Sequence, residues 1–433
     1  MKGYRLLIFF VFSLIFFGNI WCTSTGGFRQ SNTTFGYREL PTNLTGTITN
    51  SVEINEVDKS WPNNEVIFNG WGYNISYEYG EGEIWYWDVI WNRSYDVWYI
   101  PALAVGDLDP DVEGVEVVDG LYQLFVISYN NTTQSWNATM IWDPWAEQQA
   151  TVRTVKIGDF DPRHSGNELF CCTYGGLIRE FYKAENGTWM MEVIDDTHTG
   201  KAYEECDIGD FDPRFEGNEC VVFTEENLTM YAWNGSGWYW EEFGLVENLP
   251  IHITSGRIGD IITWNNESEI VCGDYAGSLW IIWWNNTSFE REEIRINSSL
   301  ADILAVTIGD CWSGHEGNEI VAGAYEECYL VWEENGTWKK ELIFKASKYN
   351  YITDLEIGEF DTLHPGNEIA VACGGDLFEL YEEIPVRESS GYWSGYIVLL
   401  ICPVVVVWKW RENKGAQITQ KWIEREKSHI LRY

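Results

Sequence analysis

The sequence predicts an all-β fold, a seven-bladed β-propeller ectodomain with a C-terminal single transmembrane helix. Three observations predict it: a unit of about 50 residues recurs seven times, each unit divides into four short strands, and one apolar run follows the last unit. Four antiparallel strands in a repeat of this length are typical of a propeller blade. The predicted propeller spans residues 26–390.

The repeat is recognised by a Gly-Asp step that ends the first strand of each unit. The series starts with a degenerate copy, Ile54-Asn55-Glu56, and its last member has Glu in place of Asp. The glycines of the other six units, 49 to 52 residues apart, are Gly106, Gly158, Gly209, Gly259, Gly309 and Gly358. This regular spacing predicts seven blades.

The other three strands of a unit follow from local turn signals. Several second strands open with Gly-Asn-Glu, as at Gly166-Asn167-Glu168, and a Gly-rich turn leads to an alternating third strand. An Asn-Gly step such as Asn186-Gly187 precedes the fourth strand, and Asn-Gly between alternating runs is a strong hairpin signal.

The seventh unit lacks a fourth strand of its own. It contains apolar runs at Tyr351–Phe360, Asn367–Cys373 and Leu377–Glu383, after which the chain runs into the predicted membrane span. An extra segment within Phe28–Thr49 precedes the first unit. We expect this segment to supply the missing outer strand, because closing the ring removes exposed strand edges.

The pattern Gly-Asp-Phe-Asp-x4-Gly-Asn-Glu resembles the FG-GAP/VCBS repeat family, found in the N-terminal propeller of integrin α chains. The resemblance covers all seven units and is strongest at Gly158–Leu169 and Gly209–Cys220. It implies a propeller that serves adhesion or ligand binding. It also implies Ca²⁺, as a structural cofactor, in Asp-rich loops between the first two strands of several blades.

The carboxylates in these loops suit Ca²⁺, which takes six to eight oxygen ligands. The loops nevertheless depart from the family pattern, because a third acid survives only at Asp111 and the other loops are longer. An alternative stays open, in which each Asp caps its own loop through backbone N–H groups. The predicted metal ligands are Asp107, Asp109, Asp111, Glu116, Asp159, Asp161, Glu168, Asp210, Asp212 and Glu219.

Histidine recurs at one position of three of these loops, as His164, His315 and His364. Three histidines on separate blades cannot easily share one metal ion, so the pattern favours a structural role. The sequence contains no Cys-x-x-Cys motif, and zinc chemistry finds no support in it.

The two ends of the chain predict a single-pass membrane protein. Residues 1–25 resemble a secretory signal peptide, with Lys2 and Arg5 before an apolar run. Residues 391–410 predict a transmembrane helix, because an apolar run lies there between aromatic residues. Residues 411–433 predict a cytoplasmic tail, since they hold six Lys or Arg against three Glu. The propeller is then extracellular at the cell membrane.

Glycosylation sequons agree with an extracellular propeller, because all of them lie between the predicted signal peptide and the predicted span. Two further sequon asparagines, Asn130 and Asn285, each precede another one directly. The predicted acceptors are Asn32, Asn43, Asn74, Asn92, Asn131, Asn137, Asn186, Asn227, Asn234, Asn266, Asn286, Asn297 and Asn335.

The composition excludes two classes of protein. A net charge of −39 argues against nucleic acid as a partner. A hydrophobic content of 45% argues against disorder. The remaining prediction is a non-enzymatic surface protein that binds an extracellular protein or glycan. A glycan-active enzyme similar to polysaccharide lyases and a structural cell-envelope component stay open as alternatives.

The loops opposite the Asp loops are the predicted ligand surface, since function concentrates on loops that a rigid scaffold presents. They join the second strand to the third, and the fourth strand to the first strand of the next unit. Examples are Asp195–Glu205, with His198 and Lys201, and Leu245–Thr254, with His252.

Overall fold

The computed structural model describes most of the chain between residues 35 and 383 and four short stretches beyond it. The described ranges are 35–40, 49–57, 63–70, 74–81, 84–92, 102–147, 151–197, 202–224, 227–243, 252–265, 267–296, 301–347, 350–364, 366–383, 394–395, 398–401, 404–407 and 410–411.

The first of two compact units, within residues 1–383, is built from short β-strands. Their bounds are β1 (Phe35–Leu40), β2 (Thr49–Asn55), β3 (Glu65–Gly70), β4 (Asn74–Glu81), β5 (Ile84–Asn92), β6 (Ala102–Gly106), β7 (Glu116–Gly120), β8 (Leu124–Asn130), β9 (Ser135–Trp142), β10 (Val152–Gly158), β11 (Glu168–Thr173), β12 (Ile178–Lys183), β13 (Trp189–Asp195), β14 (Tyr203–Gly209), β15 (Glu219–Thr224), β16 (Leu228–Trp233), β17 (Trp238–Phe243), β18 (Ile253–Gly259), β19 (Glu269–Asp274), β20 (Ser278–Trp284), β21 (Phe289–Arg295), β22 (Ile303–Gly309), β23 (Glu319–Ala324), β24 (Glu327–Glu333), β25 (Trp338–Lys345), β26 (Ile352–Gly358), β27 (Glu368–Cys373) and β28 (Asp376–Glu382).

These strands form seven antiparallel four-stranded sheets within the described ranges, which confirms the predicted seven-bladed propeller. Blades 1 to 6 are β2–β5, β6–β9, β10–β13, β14–β17, β18–β21 and β22–β25. Blade 7 contains β26, β27 and β28, with β1 as its outer strand. Phe35 pairs with Glu382 and Leu40 with Leu377, so the N-terminal segment closes the ring as predicted.

Contacts between the first strands of neighbouring blades explain the glycine of the repeat. The first strands touch in order around the ring, and β26 touches β2. A Cβ on Gly259 would lie 2.8 Å from Ile308 Cγ2 of the next blade, and one on Gly358 would lie 2.9 Å from Ile54 Cγ2. Only glycine therefore lets the first strands approach this closely.

In five of the seven blades, the asparagine that precedes the buried glutamate of the second strand joins the blade to the preceding one. Asn218 Nδ2 donates to the backbone oxygen of Asp159 at 2.7 Å. The same bond closes the ring, where Asn64 Nδ2 donates to the backbone oxygen of Glu359 at 3.0 Å. These hydrogen bonds therefore link neighbouring blades at the residue that follows the glycine of the repeat.

The hydrophobic core is divided into one cluster for each interface between neighbouring blades. Leu169 and Phe181 of blade 3, for example, pack with Val126 and Trp142 of blade 2. Seven such clusters surround the ring in the described part of the chain. Much of the aromatic content is used in this packing, as the stacking of blade sheets predicts.

The second compact unit spans residues 384–433. Its described residues are strands β29 (Ser394–Gly395), β30 (Val398–Ile401), β31 (Val404–Val407) and β32 (Trp410–Arg411), where β29 pairs with β32 and β30 with β31. No helix among the described residues is long and apolar enough to span a membrane. The predicted transmembrane helix over 391–410 is therefore not shown, and much of that range lies outside the described residues, as do the predicted signal peptide and nearly all of the tail.

Candidate functional site

The strand connections define two faces of the propeller. We call the side of the first-to-second and third-to-fourth loops the lower face, and the opposite side the upper face. The Asp loops and the Asn-Gly turns lie on the lower face. Each first strand begins at the upper face and runs towards the lower one.

On the lower face, one buried glutamate holds each loop between the first two strands. In six blades its Oε2 accepts hydrogen bonds from two successive backbone N–H groups of the loop, such as those of Phe211 and Asp212 at 3.1 and 3.0 Å. In blade 1 the bond from Val57 is present. The glutamates are Glu65, Glu116, Glu168, Glu219, Glu269, Glu319 and Glu368.

Burial raises the pKa of the six glutamates in blades 2 to 7, although the backbone hydrogen bonds oppose the shift. The pKa is raised to about 7 for Glu116 and Glu168 and to about 8 for Glu219 and Glu368. Three of these glutamates are predicted metal ligands. Their described contacts are the hydrogen bonds that they accept from the backbone of the loop.

The second Asp of the loop is buried in four blades and contacts a side-chain cation in each. In blade 3, Arg163 Nε lies 2.9 Å from both carboxylate oxygens of Asp161. In blade 4, Arg214 Nε lies 2.9 and 3.0 Å from the two oxygens of Asp212. Burial raises the pKa of Asp161, but the hydrogen bonds from Arg163 lower it more, so the pKa lies below its ordinary value.

The other two cations come from a different strand or blade. Lys183, on β12 of blade 3, reaches back to blade 2, where its Nζ lies 2.6 Å from Asp109 Oδ1 and 3.2 Å from Asp111 Oδ2. Arg38, on the closing strand β1, contacts Asp361 of blade 7 at 2.9 Å. Each buried Asp of this position therefore has a lysine or arginine partner.

Internal comparison of the repeats supports this pairing. In blade 1 the position of the buried Asp is Asp58, which lies outside the described residues, whereas in blades 5 and 6 it is taken by Ile262 and Trp312. Their loops show no such ion pair within the described residues. In blades 2, 3, 4 and 7, where the Asp is present, the cation is present too. A buried aspartate and the lysine or arginine that contacts it thus occur together in the same loops.

The buried Asp also caps its own loop. Asp161 Oδ1 accepts the backbone N–H of Arg163 at 2.9 Å, and Asp361 Oδ1 accepts that of Leu363 at 3.0 Å. This is the loop-capping alternative that the sequence left open. The first Asp of each loop, such as Asp159 or Asp210, is exposed instead.

The carboxylates as placed fit internal ion pairs better than a calcium ion. Ca²⁺ would have to approach the same oxygens to about 2.3–2.6 Å and displace the bonded lysine or arginine. Only the blade 2 loop retains three acids, Asp107, Asp109 and Asp111, with an exposed carboxylate at its tip. Calcium binding stays a prediction, and this loop is its best test.

Two lower-face residues escaped the sequence analysis, the buried glutamates Glu180 on β12 and Glu379 on β28. Glu180 lies beside His164 and Asp161, and Glu379 lies beside His364 and Asp361. Burial raises the pKa of Glu180 to about 9. The signal was available in the alternation of the third strand, where Glu180 shares a face with Ile178 and Tyr182, and Glu379 with Leu377 and Tyr381.

The upper face opens into a cavity of about 260 Å³ at the mouth of the central channel. Its walls are the first residues of the inner strands from all seven blades. The polar residues among them are Ser51, Glu53, Arg153, Thr154, Lys156, Glu204, Glu205, Thr254, Ser255, Arg257, Thr353 and Asp354, joined by Tyr275 from the loop between β19 and β20.

Ion pairs cross the channel and form the floor of the cavity. Lys156 of blade 3 contacts Glu53 of blade 1 at 3.3 Å. Arg257 of blade 5 contacts Glu205 at 3.4 Å and Asp354 at 3.6 Å. Burial raises the pKa of Asp354 to about 7, although Arg257 lowers it. Blades far apart in sequence are therefore linked electrostatically at the axis.

Exposed aromatic residues lie in the loops of the upper face, and one of them, Tyr275, also lines the cavity. Tyr325 packs edge-on against Tyr351 at 5.0 Å between ring centroids, and His252 packs on Tyr275 at 5.4 Å. On blade 2, Tyr122 packs on Trp145, of which 63% is exposed. Each pair joins a second-to-third loop to a neighbouring fourth-to-first loop, which follows it in the chain for Tyr122–Trp145 and Tyr325–Tyr351 and precedes it for His252–Tyr275. His198 and Lys201, also predicted for this surface, lie outside the described residues.

The predicted glycosylation sites are mostly on exposed positions where the structure describes them. The exposed ones are Asn92, Asn131, Asn137, Asn186, Asn234, Asn286 and Asn335. Asn227 differs, because it is buried and its Nδ2 donates to Glu242. Asn32, Asn43, Asn266 and Asn297 lie outside the described residues, and the side chain of Asn74 is not described.

Comparisons with known proteins support the fold. No protein-family model matches the chain, and no curated protein matches it either. A structure of RRP9 WD40 repeats has a TM-score of 0.52 at 11% identity, covering 80% of this chain and 97% of that chain. A structure of BBS1N in complex with ARL6DN has a TM-score of 0.51 at 9% identity, covering 78% and 93%.

A structure of U3-55K is similar to the same extent, with a TM-score of 0.50 at 11% identity, covering 80% of this chain and 98% of that chain. At such low identities these likenesses show the fold alone. They confirm a seven-bladed β-propeller, and membership of the FG-GAP/VCBS family is not shown.

Proposed function

We propose that this chain is a binding scaffold whose ligand surface is the upper face of the propeller. The observation that carries the proposal is the set of exposed aromatic pairs on the same face as the charged cavity at the channel mouth. Aromatic rings beside hydrogen-bonding groups are typical of surfaces that bind proteins or glycans. BBS1N, which has a similar fold, was solved in complex with another protein.

We further propose that the scaffold is extracellular and anchored by one transmembrane helix within residues 391–410. The support is the apolar run between aromatic belts, the basic residues after it and the exposed sequons. The last strand of the propeller, β28, ends at the lower face.

Calcium is a proposed structural cofactor of the blade 2 loop alone. Its support is the retained third acid, Asp111, and the exposure of that side chain. The other loops with a buried Asp have an arginine in contact with it and no third Asp at the position of Asp111.

A glycan-active enzyme is the second candidate function. One observation favours it: Asp354, at the cavity floor, has a pKa raised to about 7 by burial, which suits proton transfer near neutral pH. The ion pair with Arg257 and the hydrogen bond from Val52 N at 2.9 Å weigh against it, because they hold this carboxylate in place.

The test is a screen of the full-length protein, in detergent or vesicles, against arrays of extracellular proteins and glycans. Tyr275→Ala and Tyr351→Ala should each weaken binding of any hit at least about tenfold, as removal of a central aromatic contact does. Trp264→Ala is the matched control, since Trp264 is an exposed aromatic residue of the lower face.

Two outcomes would contradict the proposal. If Trp264→Ala abolished binding while both tyrosine variants bound normally, the ligand surface would be the lower face. If the array glycans were cleaved and Asp354→Asn abolished turnover while the protein stayed folded, the chain would be an enzyme.

A further inference from the structure

The lower face of blade 3 contains a compact set of nitrogen and oxygen ligand atoms. His164 Nε2 lies 3.6 Å from Glu180 Oε1 and 3.9 Å from Asp161 Oδ2. A tetrahedral zinc ion with bonds of about 2.0–2.2 Å separates its ligand atoms by about 3.4 Å. The imidazole nitrogen therefore lies close to the required spacing from each carboxylate oxygen, and all three ligand atoms lie within 4.8 Å of one another.

Two of the three ligand atoms are buried without a hydrogen-bond partner among the described residues. They are His164 Nε2 and Glu180 Oε1, and the Glu180 side chain is fully buried. A buried carboxylate oxygen that faces an imidazole nitrogen at 3.6 Å without bonding it is costly. A metal ion between them would satisfy both atoms.

The positions of the ligand side chains are fixed by their surroundings. The His164 ring stacks on Tyr182, with 3.6 Å between ring centroids and 19° between planes. Glu180 projects from strand β12, and Asp161 is held by the backbone of its own loop. Rigid elements of one blade thus position all three ligands.

We propose that Asp161, His164 and Glu180 form a binding site for a zinc-like divalent ion. One imidazole and two carboxylates suit Zn²⁺ better than Ca²⁺, which takes oxygen ligands alone. About a fifth of the His164 side chain is exposed, so water can reach the fourth position. From the sequence, the question was whether histidines of different blades share one metal ion. The structure instead places His164 and His364 each beside acids of its own blade.

The other blades provide natural comparisons. Blade 7 has the same residue types, but His364 Nδ1 already lies 2.8 Å from Glu379 Oε1, so a hydrogen bond takes the place of the metal. Blade 4 keeps Asp212 and Arg214 but has Phe215 and Met230 at the other two positions. The site is therefore assigned to blade 3 alone.

Arg163 is the main obstacle to metal binding, because its guanidinium contacts Asp161 and lies 3.4 Å from Glu180 Oε2. It also has an alternative partner, Glu192, at 2.9 Å. The ion would have to share Asp161 with this arginine. Replacing the arginine should therefore strengthen metal binding, which gives the proposal a test in the opposite direction from ligand removal.

The experiment measures Zn²⁺ retained by the full-length protein after removal of metal, reloading and dialysis, and follows the absorption of Co²⁺ as a coordination probe. We expect about one ion per chain. His164→Phe removes a direct ligand and should weaken binding at least about 100-fold. This loss is larger than the one expected when a residue that only supports a ligand is replaced. Phe occupies this position in blade 4, so the fold accommodates it.

His364→Phe is the matched control and should leave the bound ion in place, while Arg163→Gln should bind it at least about tenfold more tightly. The thermal midpoint of each metal-free variant reports folding. The proposal is overturned if wild type retains no ion, or if His164→Phe, still folded, retains as much as wild type. Loss of the ion in His364→Phe would overturn the assignment to blade 3.

Discussion

The two faces of the propeller use their polar groups in different ways. On the lower face, charged side chains are buried and paired: glutamates such as Glu219 hold each loop, and Arg163 and Arg214 neutralise the buried aspartates. On the upper face, charges line a cavity, and rings such as Tyr351 remain about half exposed. The repeated motif therefore serves stability, and the variable loops opposite it are available for recognition.

The difference has a physical origin. Every blade needs the same turn between its first two strands, so the same buried glutamate and Gly-Asp step recur there. The loops of the upper face share no such requirement, and their lengths and residues vary. Variants on the lower face should therefore change stability, whereas the upper-face variants proposed above should change binding.

The largest loss of stability is expected for Glu219→Leu. The substitution leaves the buried N–H groups of Phe211 and Asp212 without an acceptor, at a cost of about 2–6 kcal/mol in the free energy of unfolding. Denaturant unfolding measures it. Glu219→Gln is the control and should lose less than about 1 kcal/mol, because its amide oxygen still accepts. Equal losses would show that the hydrogen bonds are not the cause.

The lower-face glutamates also predict how stability depends on pH. The pKa of Glu116, Glu168, Glu219 and Glu368 is about 4.5 when unfolded and about 7 to 8 when folded. Their contribution is complete below pH 4.5 and is lost as pH rises towards the folded pKa. The free energy of unfolding should fall by at least about 2 kcal/mol between pH 5 and 7, since one such group contributes about 1.4 kcal/mol per pH unit.

The pH dependence has an internal control, because net negative charge also destabilises the fold as pH rises. Glu219→Gln removes one titrating group and should reduce the slope by about 1.4 kcal/mol per pH unit. A variant with the slope of wild type would show that Glu219 is ionised in the folded protein.

The close contact between first strands gives an intermediate effect. Gly259→Ala places a methyl group 2.8 Å from Ile308 Cγ2 and should cost about 1–3 kcal/mol through overpacking. Gly237→Ala is the control, since a Cβ there meets nothing within 4 Å. Thermal unfolding of both variants compares them. Similar midpoints would mean that the blades separate to accept the methyl group.

The smallest effect is expected for Lys183→Met, which leaves Asp109 and Asp111 without their lysine. The stability loss should be about 1 kcal/mol, because Asp111 is largely exposed. Millimolar Ca²⁺ should raise the thermal midpoint of this variant more than that of wild type, since the loop regains a cation. Lys183→Arg is the control and should not gain from Ca²⁺. If the variant gained no more than wild type, the blade 2 loop would not be a calcium site.

Local patterns in the sequence were sufficient for the fold. The spacing of the Gly-Asp steps predicted seven blades, and the missing outer strand of the last unit predicted closure by the N-terminal segment, now seen as β1. The candidate site was only partly predictable. The sequence singled out Asp161 and Glu168 but not Glu180. A single acid within a strand usually faces solvent, and only the tertiary structure shows that Glu180 is buried beside other charged groups.

By itself, the sequence determined the number of blades, the order of their strands and the glycines between them, since these depend on turns and alternation within each repeat. Only the tertiary structure decided which charge meets which. Lys183 pairs with Asp109, 74 residues away, and Arg38 with Asp361, 323 residues away. Such pairs form because ring closure brings distant strands together, and no local spacing encodes them.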